Sequence, residues 1–243
     1  MAVLATSASG RLQLLQQIVD AGVTSILTEK ILFQSVEEYR VACALVETAK
    51  VDVRAHVPYR YVDQIKALKR LHEGEPIHLN VRVGDRGLGC NGVHFIDLFQ
   101  YLAGSEIISL NTTIDFPLQK NRRDASLVEF SGAVSAKTRS NAILNLEFQK
   151  GDDDLSEITV QSGSHKTVIR FDDGSVESTF DELAGSKMEM PMASAMSHFL
   201  LQDILARQSL LPSLAEGKSY NILMLESYNR ALGRMPDDHC PIT

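Results

Sequence analysis

The sequence predicts an α/β unit followed by an α+β unit: a parallel β-α-β-α-β run, then a mixed, mostly antiparallel sheet with helices on one face. Three observations carry this reading. In residues 1–57, three short apolar runs alternate with two amphipathic stretches on short connections, the pattern of parallel strands joined by right-handed crossovers. From about residue 106 to 180, six strand-like runs follow one another with turn residues between them. Two helical stretches then close the chain, with no internal repeat, low-complexity tract or long linker.

Each element has a local reason. "MAVLATS" is an apolar run ending in small hydroxyl residues, as a buried parallel strand does. "SGRLQLLQQIVDAG" places Leu12, Leu15, Ile18 and Val19 on one helical face, with Gly22 set to end the helix. "VTSIL" is a second strand. Ser35 and Glu38 form an S-x-x-E capping box, and Val41, Ala42, Leu45 and Ala49 supply the apolar face of the next helix. "VDVRAHV" is the third strand. "DQIKALKRLHEG" is a helix ending at Gly74, and "PIHLNVRV" alternates as a strand does. "CNGVHFIDLFQYLAG" reads as a helix capped by Asn91 and stopped by Gly104. The runs "EIISLNTTI", "SLVEFSGAV", "AILNLEFQ", "SEITVQSG", "KTVIRFD" and "SVESTF", with turns such as "KGDDD" and "DDG", read as an antiparallel meander. The closing helices fall near 194–208 and 213–232, the second opening on a capping box from Ser213 to Glu216. The domain division expected from this rhythm is 1–57 and 58–243.

Composition narrows the function classes. A chain of 243 residues, 44% hydrophobic and 23% charged, is a globular one with room for a real core. Its net charge of −7 argues against a nucleic-acid or anionic-membrane surface, which needs a basic field to neutralise phosphates. The densest basic run, "KNRR" at 120–123, reads as a solvated loop. No apolar run approaches the ~18 residues of a membrane span. "MAVLATSASGR" lacks the basic and apolar regions of a signal peptide. Cys43, Cys90 and Cys240 are widely spaced without a CxxC pair, which suits reduced thiols in a cytoplasm. The histidines form no HExxH, so no dedicated metal site is expected.

A parallel β-α-β start invites a search for the GxGxxG turn that holds a pyrophosphate at a helix N-terminus. "SASG" has one glycine where the fingerprint needs three, and no acidic ribose ligand can be assigned ~20 residues later. From pattern alone the chemistry is undeclared. Four segments, in order, add to this: "AVLATS", "ILTEKILFQSVEEY", "GCNGVHFIDLFQYLAG" and "LLPSLAEGKSYNILMLESYNRAL". With them, residues 2–243 resemble the later part of a Gfo/Idh/MocA-type oxidoreductase, the family of glucose-fructose oxidoreductase and inositol dehydrogenase. The ending "CPIT" resembles, less specifically, members acting on nucleotide-linked or surface-polysaccharide sugars.

The resemblance implies a partial Rossmann-like NAD(P)-binding domain over 1–57 and a C-terminal α/β substrate and oligomerisation domain over 58–243. The glycine-rich first part of such a protein would precede Met1. It further implies NAD or NADP as cofactor, with weak or absent binding by this chain alone. The substrate would be a sugar, polyol or nucleotide-linked sugar. A homo-oligomer would form through the open sheet face, expected to be partly apolar in "AILNLEF" and "TVIRF". The alternative is a non-catalytic relative: an inactive fragment, or a sugar-binding or oligomer-forming subunit without its nucleotide half.

The resemblance also assigns residues. Lys30, at the carboxyl end of a parallel strand, faces the crevice where open α/β sheets bind ligands, as catalytic and cofactor-binding residue; an exposed turn is the bland reading. Glu29 braces backbone amides there, and Thr6 and Ser7 form the cofactor-facing turn after the first strand. His94 would be about the third residue of its helix, where the positive helix end keeps the imidazole neutral to accept a hydroxyl proton. A histidine packed between layers is the alternative. Asp97, one turn on, orients His94 or supports the helix; Asn91 caps first and contacts substrate second; Arg60 meets an anionic substrate group or forms a surface ion pair. Lys30 and His94, 64 positions apart, are expected to converge on one cleft.

Four positions depart from the family pattern. Ile31 replaces a proline whose peptide bond is commonly cis in the family. A cis bond before isoleucine costs ~3 kcal/mol, so a trans bond is expected. Ser7 replaces a second proline, Arg11 stands where relatives often have histidine, and Cys90, a small buried residue, replaces an aspartate. Tyr59 and Phe95 read as core. Met188, Met190, Met192 and Met196 read as adaptable packing or a loop over the cleft.

Overall fold

The computed structural model describes all residues except 85, 122, 123, 125, 152–155 and 190–192, and only the backbone of 193–195. Met190, Met192, the two arginines of "KNRR" and the aspartates of "KGDDD" thus lie outside the described residues. In chain order the elements are β1 (Ala2–Leu4), α1 (Arg11–Asp20), β2 (Ser25–Thr28), α2 (Val36–Ala49) and β3 (Asp52–Ala55). A 3-10 turn (Pro58–Tyr61), α3 (Asp63–Leu71), β4 (His78–Val83) and α4 (Leu88–Ala103) follow. Next come β5 (Ile107–Ile114), β6 (Gln119–Lys120), β7 (Val128–Glu129), β8 (Gly132–Thr138), β9 (Ile143–Phe148), β10 (Ser156–Ser162), β11 (His165–Arg170) and β12 (Val176–Ser178). The chain closes with α5 (Ala193–Leu205) and α6 (Leu214–Ala231). No helix among the described residues is long and apolar enough to cross a membrane.

The chain divides into two compact units, Met1–Pro58 with Pro191–Thr243, and Tyr59–Met190. In the first, β1, β2 and β3 form a parallel sheet in that order, with Ala2 opposite Ile26 and Ser25 opposite Asp52. Ser35 caps α2 by accepting from the Glu38 amide at 3.2 Å, and the Glu38 carboxylate accepts from the Gln34 amide at 2.9 Å. The division at 57/58 grouped the closing helices with the second domain, but they pack in the first unit. Their lead-in covers the edge of β3: the Ala55 amide donates to the Pro212 carbonyl at 3.0 Å, and Arg54 Nη1 to that of Leu211 at 2.9 Å. Ser213 and Glu216 complete the predicted capping box of α6. Met196, Leu200 and Ile204 of α5 are buried at i, i+4 and i+8. The last residues are docked too: Gln34 Nε2 donates to the Ile242 carbonyl at 2.7 Å, and the Cys240 amide to the Gln34 carbonyl at 2.7 Å.

The second unit is a seven-stranded sheet in the order β12-β11-β10-β4-β9-β8-β5, beside a two-stranded β6-β7 ribbon. It is not a simple meander. β9 and β10 are consecutive in sequence, yet β4 lies between them, parallel to β9 and antiparallel to β10. Leu79, Val81 and Val83 of this inserted strand alternate onto one face and are buried there. The run "SLVEFSGAV" is divided between β7 and β8. Gly132 begins β8 at φ 142°, where a Cβ would lie 2.1 Å from the Thr113 carbonyl oxygen. Leu144, Leu146, Phe148, Ile158 and Val160 are buried, and α4 packs on β8 and β9 with α3 against it.

Most apolar residues of "AILNLEF" and "TVIRF" are buried, and the open face is mixed, with polar side chains beside exposed apolar atoms of the strands. Around Asn80, Arg82, Asn111, Ser135, Asn145 and Glu147 it forms a shallow concavity of about 370 Å³. Asn145 Nδ2 donates to Asn80 Oδ1 at 2.9 Å across it.

Candidate functional site

In the first unit the candidate residues lie at the carboxyl edge of the parallel sheet. Glu29 and Lys30 follow β2 directly and are both half-buried, while Thr6 and Ser7, in the turn after β1, are exposed. The Glu29 amide continues the ladder, donating to the Leu4 carbonyl at 2.8 Å. Continuing the β2–β3 register one residue past Thr28 and Ala55 sets Glu29 opposite His56. There His56 Nδ1 lies 3.0 Å from Glu29 Oε1. Glu29 therefore engages an imidazole through its carboxylate, a contact that was not expected.

The most buried charged residue of this unit, among the described residues, is Arg11, 1% exposed. Its Nη1 donates to the carbonyls of Glu29 at 2.6 Å, Leu32 at 3.3 Å and also Ile31, and its Nη2 to that of Thr6. Burial pulls its pKa down to about 10, opposed by the Glu29 carboxylate and then by Tyr39. The Lys30–Ile31 peptide bond is cis, not trans as expected from the residue type. Its surroundings account for the difference: Ile31 is fully buried, and Arg11 binds carbonyls on both sides of the bond.

The candidate residues of the other unit lie on and beside α4. The helix begins four residues earlier than a cap at Asn91 requires, with Gly87 in the cap position and no side-chain bond from it. Its first amides are satisfied from outside the helix. The Leu88 amide donates to the Phe130 carbonyl at 2.7 Å. Those of Gly89 and Cys90 donate to the Glu129 carboxylate at 2.6 and 2.9 Å. A carboxylate on the β6-β7 ribbon thus caps the helix, favourably placed against its dipole. Asn91 instead bonds backward through Nδ2 to the carbonyls of Arg86 and Gly87, the latter at 3.2 Å.

This shift moves His94 into the second turn of α4, where the field of the helix end has largely decayed, so the electrostatic reason for a neutral imidazole weakens. The half-buried His94 ring packs edge-on against Tyr59, centroids 5.8 Å apart. Tyr59 belongs to an aromatic cluster with Phe95 and Phe171, and burial pushes its hydroxyl up to about 12. Asp97, fully buried, is held by Arg60, itself 6% exposed: Nε to Oδ2 at 3.0 Å and Nη2 to Oδ1 at 2.7 Å. Arg60 also lies 5.1 Å over the Tyr101 ring. The pair is an internal brace from the 3-10 turn to α4, and not a surface ion pair. Cys90 is half-buried, and Met188 and Met196 are buried. The described residues contain no cluster of histidine, cysteine or carboxylate groups able to hold a metal.

No protein-family model and no curated protein sequence matches the chain. Solved structures do. An oxidoreductase from Agrobacterium radiobacter, in complex with NAD+, L-tartaric acid and magnesium, superposes with a TM-score of 0.74 at 14% identity, over 96% of this chain and 78% of that one. The WlbA dehydrogenase from Bordetella pertussis, in complex with NADH and UDP-GlcNAcA, gives 0.73 at 16% identity, over 96% and 77%. The UDP-N-acetylglucosamine 3-dehydrogenase GnnA from Acidithiobacillus ferrooxidans gives 0.76 at 14% identity, over 93% and 76%. The chain has the fold of the Gfo/Idh/MocA-type oxidoreductases.

Within that fold, sequence reasoning located Lys30 and His94 but missed three groups around them. Arg11 lies one helical turn before Leu15, and a charge on a buried helical face is a visible signal. His56 becomes visible only through the β2–β3 register. Glu129 left no local mark, because a cap supplied across 39 or 40 residues of chain obeys no sequence spacing.

Proposed function

We propose that this chain carries the substrate-side chemistry of an NAD(P)-dependent oxidoreductase acting on a sugar, polyol or nucleotide-linked sugar. The observation that carries the reading is the fold match, over more than nine-tenths of the chain, to three oxidoreductases and dehydrogenases. Of these, two are complexes with NAD+ or NADH, and one of those contains UDP-GlcNAcA. Lys30, directly after the second parallel strand, positions a substrate hydroxyl, and His94 exchanges its proton. Thr6, Ser7 and Glu29 face the nicotinamide ribose, and Asn91 contacts the sugar. Arg60 and Asp97, bonded to each other and buried, hold α4 in place.

The cofactor fit is partial. Half-buried Glu29 and Lys30 and the exposed Thr6–Ser7 turn suit the nicotinamide end of a dinucleotide, whereas the 243 residues contain no glycine-rich cradle for its pyrophosphate. A bound nicotinamide would supply the hydride acceptor or donor. Calorimetry on this chain should therefore show NAD(H) and NADP(H) binding weaker than micromolar. With an intact glycine-turn nucleotide half joined in frame, nicotinamide-dependent turnover of a UDP-sugar or polyol should appear, and Lys30→Ala and His94→Ala should each lower kcat by ~10²-fold or more. Turnover untouched by both substitutions refutes the assignment. A second reading, a sugar-binding or oligomer-forming relative without turnover, is favoured by Cys90 and by the single glycine of "SASG". It predicts sugar binding with no nicotinamide oxidation or reduction under any of these conditions.

A further inference from the structure

Arg11 is built into the first unit in a way that packing alone does not require. The other buried residue of α1 is Leu15, one turn on and aliphatic, so this face can be closed without a charge. Burying a guanidinium instead is tolerated only where acceptors replace water. Its acceptors are main-chain carbonyls, and they lie on two loops: Thr6 after β1, and Glu29, Ile31 and Leu32 after β2. The carbonyls of Glu29 and Ile31 flank Lys30, so one side chain holds the backbone immediately before and after it. The planar fork lets Nη1 and Nη2 serve different loops at once, a geometry a lysine ammonium on a flexible stem cannot reproduce.

We propose that Arg11 is the positioning residue of the candidate site, fixing Lys30 and the Thr6–Ser7 turn in one frame. The proposal rests on reading Lys30 as a site residue. Arg11 itself touches neither substrate nor cofactor; it acts by denying the Lys30 backbone the displacement of about 1 Å that can cost ~10²-fold in rate.

The test compares wild type, Arg11→Lys and Arg11→Ala. The first readout is competitive acetylation of Lys30 against the exposed Lys50 in the 243-residue chain, followed by peptide mass spectrometry. In Arg11→Ala the relative rate at Lys30 should change by ~3-fold or more, and millimolar guanidinium, but not methylammonium, should return it toward wild type. Arg11→Lys keeps the charge and most of the volume; it should fold, show the altered Lys30 rate and resist rescue, and it serves as the reporter if Arg11→Ala does not fold. The second readout is turnover with the nucleotide half joined. Arg11→Lys should lower kcat by ~10²-fold with the sugar KM nearly unchanged. A Lys30 rate equal to wild type in Arg11→Lys, or full kcat in that variant, overturns the proposal while leaving the oxidoreductase reading standing. Absence of turnover in wild type defeats that reading, and the acetylation and rescue results then decide the role of Arg11 by themselves.

Discussion

Removing one partner of the Arg60–Asp97 pair should be among the most destabilising single changes in the second unit. Asp97 is fully buried and Arg60 nearly so, and both carboxylate oxygens are engaged, at 2.7 and 3.0 Å. Asp97→Leu leaves a buried guanidinium without its carboxylate, and losses of this kind run ~3–5 kcal/mol. The contact of Arg60 with the Tyr101 ring is present before and after that substitution, so it does not offset the loss. Arg60→Met strands the carboxylate and also loses the ring contact, so it should cost at least as much. Replacing both as Arg60→Met/Asp97→Leu removes the uncompensated charge. The double variant should recover roughly 2–3 kcal/mol relative to the sum of the singles. Urea denaturation followed by circular dichroism measures all four corners of this cycle. For a chain of this size the single variants should also melt roughly 6–20 °C lower. Additive losses, or a loss under ~1 kcal/mol for Asp97→Leu, would show that water reaches the pair and that the brace is not structural.

The other expectations are simpler. Glu129→Ala removes the acceptor for the Gly89 and Cys90 amides and should cost ~1–2 kcal/mol in urea midpoint analysis; a neutral result would mean water caps α4 equally well. Gly87→Ala should be destabilising for a related reason, since Gly87 has φ +77° and a Cβ there would lie 2.3 Å from Glu129 Cδ; combined with Glu129→Ala it should be less than additive. Burial, and secondarily His165, lowers the pKa of His72 from 6.5. Below that pH the unfolded chain binds the proton that the folded one resists, so stability should fall on acidification, and His72→Gln should flatten that part of the pH–stability curve. His56→Ala frees the Glu29 carboxylate from its 3.0 Å partner and should alter nicotinamide-dependent turnover, if Glu29 serves the site, without lowering the melting point as Arg11→Ala does. A homo-oligomer built on the open sheet face should appear in sedimentation; a strict monomer at high micromolar concentration refutes it.

Much of the fold was legible because its signals are local. The Ser35 cap of α2, the glycine stop of α4 at Gly104 and the capping box of α6 each depend on residues within about one turn, and each stands where the pattern put it. What was not legible is pairing at long range. Nothing in "PIHLNVRV" distinguishes an edge strand from the one that separates β9 from β10. Nothing near residue 213 declares that the last helices dock on β3 and α2. Which face of the sheet is open was not legible either: period-2 alternation shows that a strand has two faces but not which one a helix covers. The β4 and β9 alternation, with Asn80, Arg82, Asn145 and Glu147 on one side, is fully consistent with the polar face being the open one.

The candidate site divides along the same line. Lys30 could be found because a motif names it, and its place after a parallel strand follows from hydrophobic pattern alone. The contacts that hold it could not, because they are set by main-chain carbonyls and strand register, neither of which is written in residue type. Arg11 is the instructive case. At a position that the sequence marks only as a departure from the family pattern, it is buried, and it bonds to the backbone on both sides of Lys30. The cis bond expected to be absent after the loss of proline is present at the segment Arg11 grips. Residue identity at Ile31 therefore did not decide the local backbone; the contacts around it did. Departures from a family pattern at Ile31 and Arg11 do not by themselves show that a site has decayed. If they decide anything, it is through the geometry they leave at Lys30, and that geometry is what the acetylation and rescue measurements read.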